Sequence, residues 1–226
     1  MYNNLTIVIP AKDEEKNIEN IISKCRHYSD DILVIDGHST DATVRVALKS
    51  GARVEYDAGK GKGEALRRTP SLSNKEILVF IDADGSHDPG DIPKLVQPII
   101  DGESDHVVGS RMRGGSDEAT GDLEKFIRMI GSNIITLGIN YRFGVRLTES
   151  QNGLRAIKKS VLASLNLKEN ITTIEQEMII KSLRKGFRVT EVPTHEYVRQ
   201  SGSSKVNVKK VWFRYVFSWL KYLFWG

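Results

Sequence analysis

The chain has 226 residues, 39% of them hydrophobic and 27% charged, an ordinary globular composition that is enough for one large domain or two small ones. Its 33 basic and 29 acidic residues leave a formal charge of +4, which fits nucleic acid, an anionic membrane or a phosphorylated substrate and selects none of them. The single cysteine, Cys25, excludes an internal disulfide and any cysteine-based zinc site and points to a reducing compartment.

Met1-Tyr2-Asn3-Asn4 leads directly into strand-like sequence, so no secretory signal is expected before the fold and a cytoplasmic catalytic part is expected. Leu5 to Ile9 is a β-rich run closed by Pro10, and Ile32 to Ile35 is another, closed by Asp36. Between them, Glu14 to Tyr28 carries Ile18, Ile21, Ile22 and Cys25 at helical spacing. A helix is predicted from about Asp41 to Gly51, whose place just past the last periodic residue suits a C-cap. A short strand at Arg53 to Tyr56, a helix from about Gly63 and the apolar run Ile77 to Ile81 continue the alternation. Further on, helices are expected over Asp91 to Ile100, Asp122 to Ile139 and Glu175 to Lys185, with strands at His106 to Val108 and Phe187 to Val192. Strand and helix in turn mean an α/β fold with a mostly parallel central sheet flanked by helices. The expected division is a main domain over residues 1–206 and a tail over 207–226.

Asp82-Ala83-Asp84 ends the most apolar short run in the first half of the chain. A buried parallel strand that stops in two carboxylates places charge where such a sheet opens to ligands. Two hard oxygen donors there suit Mg²⁺ or Mn²⁺, and such a metal suits a diphosphate. Two further segments follow predicted strands: Pro10-Ala11-Lys12-Asp13-Glu14-Glu15 and Asp36-Gly37-His38-Ser39-Thr40-Asp41. Any one of the three could be a surface turn, since Asp, Gly and Ser favour turns for backbone reasons. All three at one sheet edge make a binding site.

In combination the three segments resemble those of the family 2 glycosyltransferases of the GT-A fold, especially the dolichyl-phosphate mannose synthase group. The first looks like Pro-Ala-x-Asn-Glu with Asp13 in the Asn place, the second like Asp-Asp-Gly-Ser-x-Asp-Gly-Thr over Asp36 to Thr43, and the third is the metal motif. The resemblance runs from about Leu5 to Lys205. It implies a metal-dependent, inverting transfer of a sugar from a nucleotide sugar to a polyprenyl or dolichyl phosphate. Pro10, Ala11, Lys12, Glu14 and Asp36 would bind the donor, Asp82 and Ala83 its ribose or sugar side, and Asp84 the metal. Arg111, in Gly109-Ser110-Arg111, would meet the phosphates at the reaction centre, and Arg128 and Ser132, one helical turn apart, would receive the lipid phosphate. Arg199 and Lys205 resemble the ends of a mobile loop over the diphosphate.

Gly37 departs from the pattern, which usually has a second Asp there, so the resemblance does not choose between GDP and UDP. Ser86 stands where the mannose synthases have a metal-binding Gln, so Ser86, Asp88 or water is the expected second ligand. Glu149 replaces an Asp on the acceptor side. Gly59-Lys60-Gly61-Lys62-Gly63 lacks the spacing of a P-loop and reads as a flexible basic turn near the donor. His38 and His87, without a Cys or third His, make a poor zinc set. A haloacid dehalogenase-type phosphatase, with Asp82 as nucleophile, would place its motif on the first strand and need a later acidic pair; neither holds here.

Trp212, Trp219 and Trp225 all fall in the last fifteen residues, among five other aromatic residues. Lys210, Arg214, Ser218 and Lys221 would form one narrow polar stripe on a helix. The stretch Val211 to Trp225 is shorter than the ~20 residues that span a bilayer. It suits a helix lying in the membrane interface, at the cytoplasmic face, or alternatively one packed on the core or a partner. Nucleic-acid binding is not expected, because the aromatic residues belong to a terminal helix and not to a sheet face. Acceptors other than a lipid, such as a soluble saccharide or polysaccharide, stay open.

Overall fold

A computed structural model of the chain describes residues 1–117, 123–199 and 208–225, with the backbone alone for 123–128 and 208–211. Seven described strands form one sheet in the order β3-β2-β1-β4-β6-β5-β7. In chain order these are β1 (Leu5–Ala11), β2 (Asp31–Asp36), β3 (Arg53–Tyr56), β4 (Ile77–Phe80), β5 (His106–Ser110), β6 (Arg155–Lys158) and β7 (Val189–Pro193). All pairings are parallel except those of β6, which lies antiparallel between β4 and β5.

The helices are α1 (Ile18–Cys25), α2 (Thr43–Lys49), α3 (Lys62–Leu72), α4 (Ile92–Ile100), α5 (Arg111–Gly114), α6 (Leu123–Phe143), α7 (Lys159–Ser164), α8 (Ile174–Arg184) and α9 (Val208–Phe224). Alternate residues of β1 serve opposite layers: Leu5, Ile7 and Ile9 pack with α1 and α4, while Val8 packs with α3, α7 and α8. Burial on both faces is why β1 and β4 read as continuous apolar runs rather than alternating ones. A third cluster joins Val108 of β5 to α6, α8 and α9 through Ile135, Ile139, Ile179, Tyr222 and Leu223.

Three local differences from the sequence expectation have physical causes. The first expected helix starts late, at Ile18, because the Glu14 amide donates to Thr43 Oγ1 at 2.8 Å and holds residues 13–17 open at the sheet edge. Strand β6 was not expected, since its buried position carries an arginine. The Arg155 guanidinium is wholly enclosed and donates to the carbonyls of Asn152 and Glu175, which satisfies a charge that composition alone would place at the surface. Lys62 opens α3 rather than lying in a flexible turn, Gly61 before it adopting φ +106°. The expected C-cap is present: Gly51 has φ +80° and its amide donates to Leu48 O at 2.9 Å.

Candidate active site

The three motif segments meet at the C-terminal edge of the parallel strands. Ala11 pairs with Asp36 across β1 and β2, Gly37 N–H donates to Ala11 O at 2.8 Å, and Ile81 N–H donates to Val8 O at 3.1 Å. Pro10 and Ala11 thus end β1 beside Asp36, with the Lys12 side chain exposed. Asp36 is fully buried and receives the Ser39 amide at 2.8 Å and hydroxyl at 2.5 Å. Asp13, at φ +53°, accepts from the Thr40 amide at 2.8 Å. The first two motif loops therefore brace each other.

Beyond β4 the two carboxylates of Asp82-Ala83-Asp84 face different partners. Asp82 Oδ1 lies 2.6 Å from Lys62 Nζ, which also lies 2.9 Å from Glu175 Oε1 of α8. Burial alone would raise the pKa of Asp82; the charges of Lys62, His87 and Arg199 outweigh it and hold the carboxyl below its ordinary value. Burial disfavours the charged Lys62 too, but Asp82 and Glu175 reverse the effect and raise its pKa. Glu175 is shifted upward, since its own burial exceeds what Lys62 and Arg155 return. Gly153, before β6, crosses so close to Asp82 and Lys62 that an added Cβ would sit 2.5 Å from Asp82 Oδ2. Ala83, between the carboxylates, is buried.

Asp84 Oδ1 accepts from the Ser86 amide at 3.0 Å and hydroxyl at 2.6 Å, and Oδ2 lies 2.7 Å from Arg199. Arg199 also reaches Glu14 Oε1 at 3.7 Å. The segment carrying Arg199 is tied down by Tyr197 N–H, which donates to Ser86 O at 2.8 Å. His87 is buried beside these groups, and its Nδ1 has no hydrogen-bond partner among the described residues. Asp88 turns away to cap Gly90 at 2.8 Å.

On the far side Arg111, at the start of α5, is clamped by Glu149 at 2.8 Å and Glu196 at 3.0 Å. Burial acts against its charge, but the two carboxylates raise its pKa overall. Glu196 is held below the ordinary glutamate range, Arg111 more than offsetting its burial. Ser132 is half-buried on α6, and one turn on Thr136 reaches Ser150 at 2.7 Å, next to Glu149. Arg128 lies on α6 with its side chain outside the described atoms, and Lys205 lies outside the described residues.

Sequence reasoning placed Lys62 near the donor only as part of a flexible basic turn, and gave Glu175, Glu196 and His87 no part in this site. Lys62 had a signal, the glycines around it; the glutamates, joined to the site only by the fold, had none.

The donor set offers hard oxygen ligands to a cation, the Asp84 carboxylate and the Ser86 hydroxyl. No group of three His, Cys, Asp or Glu side chains disposed to hold a metal occurs among the described residues. An ion such as Mg²⁺ or Mn²⁺ takes one or two protein ligands and completes its shell with substrate phosphate and water.

Residues 6–165 match the family model described as "Glycosyl transferase family 2". The chain belongs to that family. This glycosyltransferase is 31% identical over 199 residues to glycosyltransferase AglJ of Haloferax volcanii, covering 87% of its own length and 64%, under two thirds, of AglJ. It is 29% identical over 237 residues to the UDP-N-acetylglucosamine–dolichyl-phosphate N-acetylglucosaminyltransferase of Methanococcus voltae, covering 92% and 93% of the two chains. Among solved structures, its fold matches glucosyl-3-phosphoglycerate synthase of Mycobacterium tuberculosis in complex with Mn²⁺, UDP and glucosyl-3-phosphoglycerate. That match has a TM-score of 0.75 at 24% identity, over 98% of this chain and 80% of the synthase. The GT-A fold expectation therefore holds.

Proposed function

We propose that this glycosyltransferase moves a sugar from a nucleoside diphosphate to a polyprenyl phosphate, with inversion at the anomeric carbon. The observation that carries the reading is the meeting of Glu14, Asp36, Asp82, Asp84, Ser86 and Arg199 at one sheet edge. Asp36 and the loops it braces would receive the nucleoside, and Asp82 the ribose or sugar side. Asp84 and Ser86 would hold Mg²⁺ or Mn²⁺. When bound, the cation would offset charge developing on the departing diphosphate. Arg199, which now occupies an oxygen of Asp84, would transfer to the diphosphate, with Lys205 from the same segment.

A lipid phosphate is already an anionic nucleophile near neutral pH and requires no strong base. Arg111, Arg128 and Ser132 would place it in line with the anomeric carbon, which is where much of the rate would arise. A lipid acceptor is supported by two neighbouring helices with exposed apolar faces. Trp212, Phe213, Val216, Phe217, Leu220 and Phe224 of α9 and Ile130, Ile134, Leu137 and Tyr141 of α6 all lie open to solvent. No described helix is long and apolar enough to cross a membrane, so these faces would seat the enzyme on the cytoplasmic surface of one. The Methanococcus relative, matched over nearly its whole length, is named for a dolichyl-phosphate acceptor.

A second reading, transfer to a hydroxyl of a soluble or polymeric acceptor, is favoured by one feature. Arg111 is flanked by two carboxylates, Glu149 and Glu196, and a neutral hydroxyl needs a proton acceptor where a phosphate does not. Incubation with Mn²⁺, a panel of UDP- and GDP-sugars, polyprenyl phosphate and soluble phosphorylated or saccharide acceptors, read by mass spectrometry, separates the two. Glycosylated polyprenyl phosphate is expected; product on a soluble acceptor alone selects the second reading, and no transfer at all contradicts both.

A further inference from the structure

Lys62 is half-buried where three elements converge: its own helix α3, the end of β4 and the first turn of α8. Its ammonium is shared between Asp82 Oδ1 at 2.6 Å and Glu175 Oε1 at 2.9 Å. A lysine side chain has several rotatable bonds and a strongly hydrated head, so enclosing it is costly unless the charge is paired. Two carboxylates pair it here. Fixing the backbone for this also takes unusual local geometry. Gly61 turns the chain at φ +106°, and a Cβ on Gly63 would lie 2.5 Å from Glu169 O, so α3 begins hard against the segment that leads into α8. The Gly63 amide donates to Asn170 O at 2.8 Å, which locks that approach.

The consequence falls on Asp82. With Oδ1 held by Lys62, its other oxygen has no hydrogen-bond partner among the described residues, and the side chain keeps 28% of its surface open. Gly153 passes so near Oδ2 that any side chain there would cover it. One oxygen is thus anchored and the other presented. A carboxylate aimed in this way accepts a hydroxyl hydrogen bond in a fixed direction, as a sugar or ribose ring requires.

The geometry points to Lys62 as a positioning residue for the sugar portion of the donor, acting through Asp82 and braced by Glu175, rather than as a phosphate contact. Both of its hydrogen-bonding partners are carboxylates on the protein, and its side chain is only 20% exposed. This rests on the reading of the site as a nucleotide-sugar site.

The test compares a nucleoside diphosphate with the same diphosphate carrying its sugar. UDP, GDP, UDP-glucose, UDP-N-acetylglucosamine and GDP-mannose are titrated calorimetrically, with Mn²⁺, into the full chain and into Lys62→Met, Asp82→Asn and the double variant. For the donor that the unmodified protein binds, Lys62→Met is expected to weaken the nucleotide sugar by about tenfold and the free diphosphate by less than about twofold. Asp82→Asn should do the same, and the double variant should be no weaker than the poorer single one. Equal loss for both ligands would place Lys62 on the diphosphate or in folding alone and overturn the inference, as would full additivity. Should Lys62→Met fail to fold, because two carboxylates lose their partner, Lys62→Met with Glu175→Gln removes one of them and is judged by the same comparison. If the unmodified protein binds none of these ligands, the nucleotide-sugar reading itself fails, a result distinct from the other outcomes.

Discussion

Arg111 holds two carboxylates that would otherwise face each other across the proposed acceptor side. Replacing it with Met strands Glu149, almost wholly buried, beside Glu196. We expect a loss of about 1–3 kcal/mol, discounted for the quarter of the arginine open to solvent, seen as a lower urea midpoint. An unchanged midpoint would show that the pairs contribute nothing net. Cys25 makes a cleaner residue-scale prediction. Burial pushes its thiol up to about 12, so at pH 8 it should resist iodoacetamide in the native protein and react promptly in denaturant. Rapid native labelling would mean that α1 opens easily. The carboxylates at the strand ends were readable in the sequence because each follows an apolar run. Glu175 and Glu196 were not: each meets the site from an element far along the chain, and nothing local distinguishes them from surface glutamates.

At the scale of elements, Asp105 links three strands near the end of the sheet away from the site. It accepts from Lys158 Nζ at 2.7 Å and from the Arg188 amide at 3.0 Å. Burial would raise its pKa, but these partners lower it overall. A carboxyl with a depressed folded pKa contributes stability that is full above its unfolded value, about 3.9, and vanishes as pH falls through the folded one. Asp105→Asn should therefore cost about 1–2 kcal/mol at pH 7, and the difference from the unmodified protein should shrink below about pH 4. A difference that does not shrink as the pH falls below about 4 would contradict this assignment. The docking of α9 gives a second element-scale test. A Cβ on Gly138 of α6 would lie 2.2 Å from Trp219, so Gly138→Ala should cost about 1–3 kcal/mol and shift the tryptophan emission.

The sheet order and β6 mark the limit of reading elements from sequence. The parallel strands were readable from their apolar runs and bounding Pro, Asp and Gly residues. Strand β6 hid because its buried arginine is satisfied by carbonyls that only the tertiary fold brings to it, and its place between β4 and β5 reverses the direction that simple alternation implies. The aromatic tail was readable as amphipathic, but not which face it uses. Ser218, expected on the polar stripe with Arg214 and Lys221, is buried, and Tyr215, Trp219, Tyr222 and Leu223 pack toward the core. The outer face is the more apolar for it.

At the scale of the whole molecule, the site and the apolar faces of α6 and α9 would have to work together if the acceptor is a lipid. Phe217→Glu with Trp212→Glu replaces two exposed aromatics and should lower flotation with anionic vesicles by about tenfold, while binding of free nucleoside diphosphate stays unchanged. Undiminished flotation would leave α9 without a membrane role. The central claim is that Asp84 anchors a metal-dependent sugar transfer to lipid phosphate. Its most direct test is mass spectrometry of lipid extracts after incubation of the full chain and of Asp84→Asn with Mn²⁺, nucleotide sugars and polyprenyl phosphate. The account predicts a glycosylated lipid phosphate from the unmodified chain and at least a hundredfold less from Asp84→Asn, on the order of 3 kcal/mol of barrier. Equal product from both would contradict it.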